Sequence, residues 1–174
     1  MRRRGFTIIE LVIVITVMAA LIALGVVNLR SSQANGRDTE RKTDVESIAQ
    51  QLEAYYTSGT DNSTDVGGYP STSITATQNA MTTALRDVDT DSLTAPGLTD
   101  PMTPTQTFIP ASCSGACVQT TAGVTPQPNI NQYVYQPLHS DGTLCNDAVE
   151  CRKFNLFYRQ EVDNNVIMVT SLNQ

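Results

Sequence analysis

The sequence is poor in the residues on which most catalytic and cofactor chemistry depends. Its 174 residues include one His and no Trp. It has no Gly-rich phosphate loop and no Gly-x-Ser-x-Gly, His-Glu-x-x-His or Ser-x-x-Lys pattern. A single His also limits any catalytic triad to one arrangement. The sequence therefore predicts a protein that is not an enzyme.

Basic residues are scarce after the first four positions. The chain has 11 Lys and Arg against 17 Asp and Glu, a net charge of −6. Three of the basic residues are Arg2, Arg3 and Arg4, so the rest of the chain carries a net −9. Because a nucleic-acid surface needs a basic stripe, no nucleic-acid partner is predicted.

One long apolar run stands close to the N-terminus. Residues 11–27 are apolar apart from Thr16 and Gly25, and residues 6–10 extend the segment to 22 positions. A helix of that length spans about 33 Å, and a bilayer core is about 30 Å thick. A secretory signal peptide would have a shorter apolar core, of roughly 7 to 15 residues, followed by a cleavage site of small residues. The run therefore predicts a membrane helix, with the arginines in the cytoplasm and residues 28 onward outside.

Glu10 places a carboxylate inside this apolar run. A charge at the centre of a membrane helix costs about 2.5 to 3.5 kcal/mol, so it is usually kept for a partner. The succession of basic leader, Gly5, Phe6, Glu10 and apolar helix resembles the class III signal of type IV pilins and type II secretion pseudopilins. Two alternatives stay open: Glu10 reaches the inner headgroups by snorkelling, or the segment is a plain signal anchor.

The resemblance implies both a processing step and an assembly step. A prepilin peptidase would cut after Gly5 and methylate the new amine of Phe6, and Glu10 would pair with the Phe6 amine of a neighbouring copy. The partners implied are that peptidase, copies of the same chain, an assembly platform and the membrane. The function implied is a filament subunit of a type IV pilus, serving adhesion, motility or DNA uptake. The alternatives are a pseudopilin of a type II secretion system and a monomeric membrane-anchored binding domain.

The apolar helix departs from the family's pattern in one respect. Many members carry a helix-bending Pro late in the run, whereas the first Pro of this chain is Pro70. Gly25 and the Asn35-Gly36 pair are the expected weak points, because Gly costs about 1 kcal/mol of helix stability relative to Ala. We expect local bending or melting there in an assembled filament.

An amphipathic pattern continues beyond the membrane segment. One apolar face is formed by residues spaced three or four apart, namely Val45, Ile48, Ala49, Leu52, Tyr55 and Tyr56. A single helix over 6–57 would be about 78 Å long. The charged residues Asp38, Glu40, Arg41, Lys42, Asp44 and Glu46 are expected on its solvated face.

The remainder of the chain predicts a small globular head. Residues 58–130 are rich in Ser, Thr, Asn, Gly and Pro and indicate loops, with one short helix at Ala76–Val88. The Tyr-, Phe- and Val-rich segments 132–136, 153–162 and 165–171 predict three antiparallel strands, with Asp163-Asn164 as a turn. The expected fold is α+β, with a small antiparallel sheet packed on the long helix.

Five divisions follow along the chain. They are the leader (1–5), the membrane and polymerisation helix (6–29), its amphipathic continuation (30–57), the loop region (58–130) and the sheet with its disulfide loop (131–174). Four short segments resemble the same family in the same order: Gly68–Pro70, Leu98–Pro101, Tyr133–Tyr135 and Phe154–Tyr158. Of these, Leu98–Pro101 and Tyr133–Tyr135 favour the pseudopilins. Residues 102–130 have no counterpart in that resemblance and are interpreted as an insertion.

All four cysteines lie in the part expected outside the membrane. They are Cys113, Cys117, Cys145 and Cys151, and an even number in an oxidising compartment favours two disulfides. Three pairings are possible, of which Cys113 with Cys117 and Cys145 with Cys151 is the most local. The cysteine pairs are separated by three and five residues, which fits a zinc site poorly, since the typical zinc motif has Cys pairs separated by two residues.

An Asp-x-Asp-x-Asp run occurs within the loop region. Asp87, Asp89 and Asp91 resemble the start of a calcium-binding EF-hand loop, and Asp100 could add a ligand. However, Leu98 occupies the twelfth position, where a bidentate Glu is required. No cofactor is therefore expected, with calcium as the open alternative to a solvated acidic loop.

Overall fold

The computed structural model describes residues 6–59, 66–97, 102–146 and 151–173. Its helices are α1 (Ile8–Ser58), α2 (Gln78–Ala84) and α3 (Pro104–Thr107). Its strands are β1 (Phe108–Pro110), β2 (Tyr133–Leu138), β3 (Lys153–Arg159) and β4 (Val166–Thr170). Two 3₁₀ turns span Thr72–Thr75 and Thr90–Leu93. The predicted α+β fold is confirmed.

The N-terminal helix α1 is 51 residues long. It ends at Gly59, whose φ of 62° suits a residue without a side chain and whose N–H donates to the Tyr55 carbonyl. The helix continues without a break through Gly25 and Gly36. A Gly penalty of about 1 kcal/mol is too small to open a helix that gains a hydrogen bond per residue. The isolated chain thus shows no melting at these glycines, and the prediction made for a filament stands untested.

The second half of α1 packs against a four-stranded sheet. The side chains of Val45, Ile48 and Leu52 are fully buried in this core, as the apolar face predicts. Burying a side chain of this size contributes about 1.5 to 3 kcal/mol. These three residues therefore hold the helix to the head over two helical turns.

The strands follow one another in the order β1-β2-β3-β4. The pairs β2–β3 and β3–β4 are antiparallel, as predicted, with Val134 opposite Phe157 and Phe157 opposite Met168. The prediction of only three strands is wrong, because β1 from the supposed loop region pairs in parallel with β2. A three-residue strand that ends in Pro110 is too short to show an alternating pattern. Only its pairing partner makes it a strand.

The sheet has a different covering on each face. On the α1 side, Tyr133, Tyr135, Phe154, Leu156 and Tyr158 join the main core. The opposite face carries Val134 and Phe157, which pack with Ala111 and Val124 of the predicted insertion. The segment 102–130 is thus folded: it supplies the strand β1, whose Phe108 joins the main core, and it places Ala111 and Val124 against the opposite face of the sheet.

Candidate functional site

The first turns of α1 expose nearly every apolar side chain. Exposure ranges from 45% at Val14 to 84% at Ile8, and Phe6, just before the helix, is 85% exposed. Among the described residues, α1 is the one helix long and apolar enough to cross a membrane, by its length and composition. Since such a surface is unstable in water, this part of the molecule needs a lipid or protein environment.

Glu10 lies at the start of this helix and forms a capping box with Thr7. The backbone N–H of Glu10 donates to the Thr7 hydroxyl oxygen at 3.3 Å. In return, the Thr7 hydroxyl donates to Oε2 of Glu10 at 3.1 Å and the Thr7 N–H donates to the same oxygen at 3.3 Å. The carboxylate therefore has partners within its own chain, next to the positive end of the helix dipole.

Thr7 is a hydrogen-bonding partner of Glu10 that the sequence analysis missed. The Thr-x-x-Glu spacing before an apolar run is the sequence signature of a capping box. In a membrane this arrangement reduces the cost of the Glu10 charge before any neighbour is present. It also directs the carboxylate towards the N-terminus of the helix, close to the predicted new amine of Phe6.

The predicted cleavage site is only partly described. Gly5 and the arginines of the leader lie outside the described residues, whereas Phe6 is described and exposed. The pairing of Glu10 with the amine of Phe6 involves two copies of the chain, so it stays a prediction. Phe6 and Glu10 both lie at the same exposed end of α1, as that prediction requires.

A network of four charged residues joins α1 to the head, at the start of the helix segment that packs on the head. Arg37 Nε donates to Oε2 of Glu161 at 2.8 Å, and Arg41 Nη1 donates to Oδ1 of Asp38 at 2.8 Å. Arg41 also contacts Glu161 at 3.3 Å and donates to the Ile130 carbonyl at 2.9 Å. The hydrogen bond from Arg37 lowers the pKa of Glu161 below its ordinary value and raises the pKa of Arg37. The network is neutral in sum and ties the helix to two loops of the head.

The expectation that the α1 charges are all solvated is therefore wrong for three of them. Asp38, Arg41 and Asp44 are buried, with the Arg41 side chain only 1% exposed, whereas Glu40, Lys42 and Glu46 are exposed. Residues 38, 41, 45 and 48 succeed one another at helical spacing, so the buried face extends beyond its apolar members. Buried charges are retained because each has a partner.

Asp44 faces the sheet in a buried position. Its Oδ2 accepts a hydrogen bond from the Tyr133 hydroxyl at 3.1 Å. Burial raises the pKa of Asp44 to about 6, against the opposing effects of hydrogen bonds from Tyr133 and Ser92. Burial, together with the nearby Asp44 charge, also raises the pKa of Tyr133. This carboxyl consequently takes up a proton in a pH range where exposed aspartates are ionised.

The four cysteines form two disulfides with the most local pairing. Cys113 is joined to Cys117 in the insertion, and Cys145 to Cys151 in the β2–β3 connection. Cys145 and Cys151 are buried in the main core, and the carbonyl of Cys151 accepts from the N–H of Tyr69. The second bridge thus joins two residues whose carbonyls also hold, by hydrogen bonds, the chain segment that follows α1.

The predicted calcium ligands are only partly brought together. Asp87, Asp89 and Asp91 are exposed, and Oδ1 of Asp89 accepts from the Asp91 N–H at 3.2 Å at the start of a 3₁₀ turn. Asp100 lies outside the described residues. Within the described ranges, no group of three or more His, Cys, Asp or Glu residues is placed to hold a metal ion. Calcium binding stays an untested alternative.

Comparison with known proteins finds one similarity, at the N-terminus. The family model for the prokaryotic N-terminal methylation motif matches residues 1–26. No curated protein and no solved structure matches the chain. Residues 1–26 are thus the class III prepilin signal of type IV pilins and pseudopilins. This signal includes Gly5, Phe6 and Glu10.

Proposed function

We propose that this chain is the precursor of a type IV pilus subunit. After cleavage behind Gly5 and methylation of Phe6, its apolar helix packs with copies of itself into a helical filament. The observation that carries the proposal is the methylation motif at residues 1–26, which runs directly into an exposed apolar helix attached to a folded head. The protein then acts as a structural subunit and not as an enzyme.

Burial of the apolar helix among other copies supplies the driving force for assembly. Side chains such as Ile13, Val17 and Leu21 are more than half exposed in the single chain. Packing among copies would replace the lipid around them by close van der Waals contacts and keep them out of water once the helix leaves the membrane. Glu10 would exchange its hydrogen bonds with Thr7 for a stronger, charge-assisted one to the neighbour's amine. Such an exchange would set the register between subunits.

The proposed location follows from the charge pattern. The leader arginines stay in the cytoplasm, α1 crosses the cytoplasmic membrane once, and the head lies outside. The two disulfides support a head in an oxidising compartment. The partners proposed are a prepilin peptidase, copies of the chain and a pilus assembly platform.

A pseudopilin of a type II secretion system is the second candidate. The short segments Leu98–Pro101 and Tyr133–Tyr135 favour it, because they resemble the major pseudopilin. The folded insertion with its own disulfide favours a pilin on the cell surface instead. The two candidates differ in where the processed chain accumulates.

Intact-mass spectrometry of sheared surface filaments, beside the membrane fraction of the same cells, tests this function. We expect an abundant surface species that starts at methylated Phe6 and is four hydrogens lighter than the reduced chain, because of its two bridges. The same species confined to the membrane would favour the pseudopilin. An uncut chain that begins at Met1 would contradict both. A Gly5→Val variant, which should stay uncut, is the control for the cleavage site.

A further inference from the structure

The length of the apolar run determines where α1 sits in a bilayer. Between Glu10 and Arg30 the sequence contains no charged residue. These positions are 20 residues apart, about 30 Å along a helix, which is also the thickness of a hydrocarbon core. Charged side chains at the two ends of a membrane helix reach towards the headgroups. Under the proposed membrane location, Glu10 and Arg30 therefore lie at the inner and outer edges of the hydrocarbon.

This placement brings the head close to the outer surface of the membrane. Asp38, the first residue of α1 with a buried side chain in the described ranges, lies about 12 Å beyond Arg30 along the helix. The headgroup layer on each side of a bilayer is about 5 to 8 Å thick, and a helix tilt of about 20° lowers one side of the head further. The end of the head nearest Asp38 is thus within side-chain reach of the outer headgroups.

Two connections of the sheet form this end of the head, and both are fixed to α1. The β3–β4 turn is held by Asp38, whose carboxylate accepts from the N–H groups of Glu161 at 2.7 Å and Val162 at 3.0 Å. The segment before β2 is held by Arg41, whose Nε donates to the Ile130 carbonyl at 2.9 Å. We call this end the base of the head, and it consists of residues 128–131 and 160–165.

The base presents apolar side chains among polar ones. Val162 is 47% exposed and Ile130 is 37% exposed. Their exposed neighbours in the base are polar, namely Asn129, Asp163, Asn164 and Asn165. A mixed surface of this kind suits the headgroup region of a bilayer, where apolar and polar groups both find partners.

Charge at the base differs from that of the chain as a whole. The guanidinium of Arg159, at the end of β3, donates to uncharged oxygens of three neighbouring residues. Within the described ranges, neither Arg159 nor Arg30 forms an ion pair with an acidic side chain. Asp163 offsets one of these two positive charges, whereas the side chains from Phe6 onward sum to −9. The base therefore approaches lipid phosphates with less repulsion than an average part of the chain.

We infer that the base of the head docks on the headgroups of the outer leaflet while the subunit is unassembled. Val162 and Ile130 then lie among the headgroups, and Arg30 and Arg159 contact lipid phosphates. The inference rests on the membrane location given under the proposed function. Because the turn that carries Val162 is clamped to α1, docking fixes the angle between the head and the bilayer. Extraction of a subunit into a filament has to break this contact.

The absence of Trp from the chain allows a direct test. Val162→Trp and Ile130→Trp each place one fluorescent reporter at the base of the full chain, in nanodiscs that hold a single chain. Leu172→Trp is the matched control, because Leu172 is 83% exposed and its N–H is bound by Glu53. Glu53 lies about 22 Å beyond Asp38 along α1. Quenching by a nitroxide on the lipid headgroup is measured for each variant.

We expect the headgroup nitroxide to lower the emission of both base reporters at least about twofold and to change that of Leu172→Trp little, since only the base lies at the interface. A lengthened chain separates docking from the affinity of Trp itself for lipid interfaces. Seven helix-forming residues inserted after Gln33 raise the head by about 10.5 Å and turn it by only about 20°. Quenching of Val162→Trp should be lost in this lengthened chain.

Two results would overturn the inference outright. They are equal quenching of Val162→Trp and Leu172→Trp, and quenching of Val162→Trp that persists in the lengthened chain. Base reporters that become shielded from water only when several chains share a nanodisc would identify a second copy as the occupant, against the inference.

A reporter inside the membrane segment tests the premise separately. Leu21 lies near the centre of the apolar run and is 64% exposed in the single chain. Leu21→Trp should be quenched by a nitroxide deep in the acyl chains. If it is not quenched, the proposed membrane location fails. A quenched Leu21→Trp beside unquenched base reporters refutes the inference alone.

Discussion

At the level of single residues, charge placement carries most of the functional information. Glu10 is held by Thr7 at the exposed start of the helix, and Arg41 is buried with Asp38 and Glu161 at the base of the head. Each charge has a hydrogen-bonding partner in the single chain, which reduces the cost of removing it from water. For Glu10 the proposed function adds a further partner on another copy.

The charge of Glu10 should matter for assembly and not for insertion. In cells that also make wild-type chain, Glu10→Ala should be inserted and processed normally but be depleted about tenfold in sheared filaments, the effect of losing about 1.4 kcal/mol. Quantitative mass spectrometry of filaments and membranes gives both ratios. Glu46→Ala is the control, because Glu46 is an exposed residue of α1 outside the apolar segment. Equal incorporation of both variants would rule out the charge-pair argument.

Asp44 should make stability depend on pH in an unusual direction. Its pKa is about 6 in the folded chain, against 3.8 for an ordinary Asp. The folded state therefore binds the extra proton, and its stability falls as pH rises from about 4 to 6, by up to about 3 kcal/mol. Asp44→Asn should remove this slope and be at least as stable at pH 7. Chemical denaturation of the full chain in detergent between pH 4 and 8 checks this, and an unchanged slope in the variant would contradict it.

At the level of elements, short connections decide how the head is assembled. β1 is a strand only because it lies beside β2, and the chain leaving α1 is fixed by hydrogen bonds from Tyr69 to Cys151 and from Thr72 to Cys145. On α1, the C-terminal tail is held by Glu53, which accepts from the Leu172 N–H at 2.8 Å and from Asn173 at 3.1 Å. The helix thus organises both ends of the head.

The two disulfides should contribute unequally to stability. They close loops of similar length, with sequence separations of 4 and 6, so the loss of loop entropy is about 2 kcal/mol for each. Cys145 and Cys151 are at most 1% exposed, and serine hydroxyls buried there would cost a further 1 to 3 kcal/mol, roughly, without partners. The Cys145→Ser/Cys151→Ser double variant should therefore lose more stability than Cys113→Ser/Cys117→Ser in thermal unfolding. Equal losses would mean that burial of the second bridge is unimportant.

At the level of the whole molecule, the head lies between two surfaces with different properties. The apolar half of α1 is exposed on one side, and Ala111 and Val124 pack on the sheet face opposite the main core. Under the proposed function, the apolar half of α1 would pack with other copies while the folded head stays outside that contact. The sheet keeps the two apart, because its two faces belong to different cores.

The acidic loop at Asp87–Asp91 provides a test of metal binding by the whole chain. Asp89 already serves as the cap of a 3₁₀ turn, so we expect Asp89→Ala to lower stability by about 1 kcal/mol with or without calcium. The melting temperature of the wild-type chain should then be the same in calcium and in chelator. A rise with calcium that disappears in Asp89→Ala would instead establish the calcium alternative.

Local patterns in the sequence were sufficient to predict the N-terminal signal, the long helix and the strands β2, β3 and β4. These features depend on residues close together along the chain, such as the Gly5, Phe6 and Glu10 register or the spacing of Val45, Ile48 and Leu52. The tertiary structure decided which cysteines pair, that β1 is a strand and that Asp38, Arg41 and Asp44 are buried. Each of these depends on contacts between distant segments, as when Glu161 reaches Arg41. The spacing of neighbouring residues is enough to predict a helix or a strand, because both are defined by local backbone geometry. Contacts between residues far apart in sequence depend on the tertiary fold and cannot be predicted from local spacing.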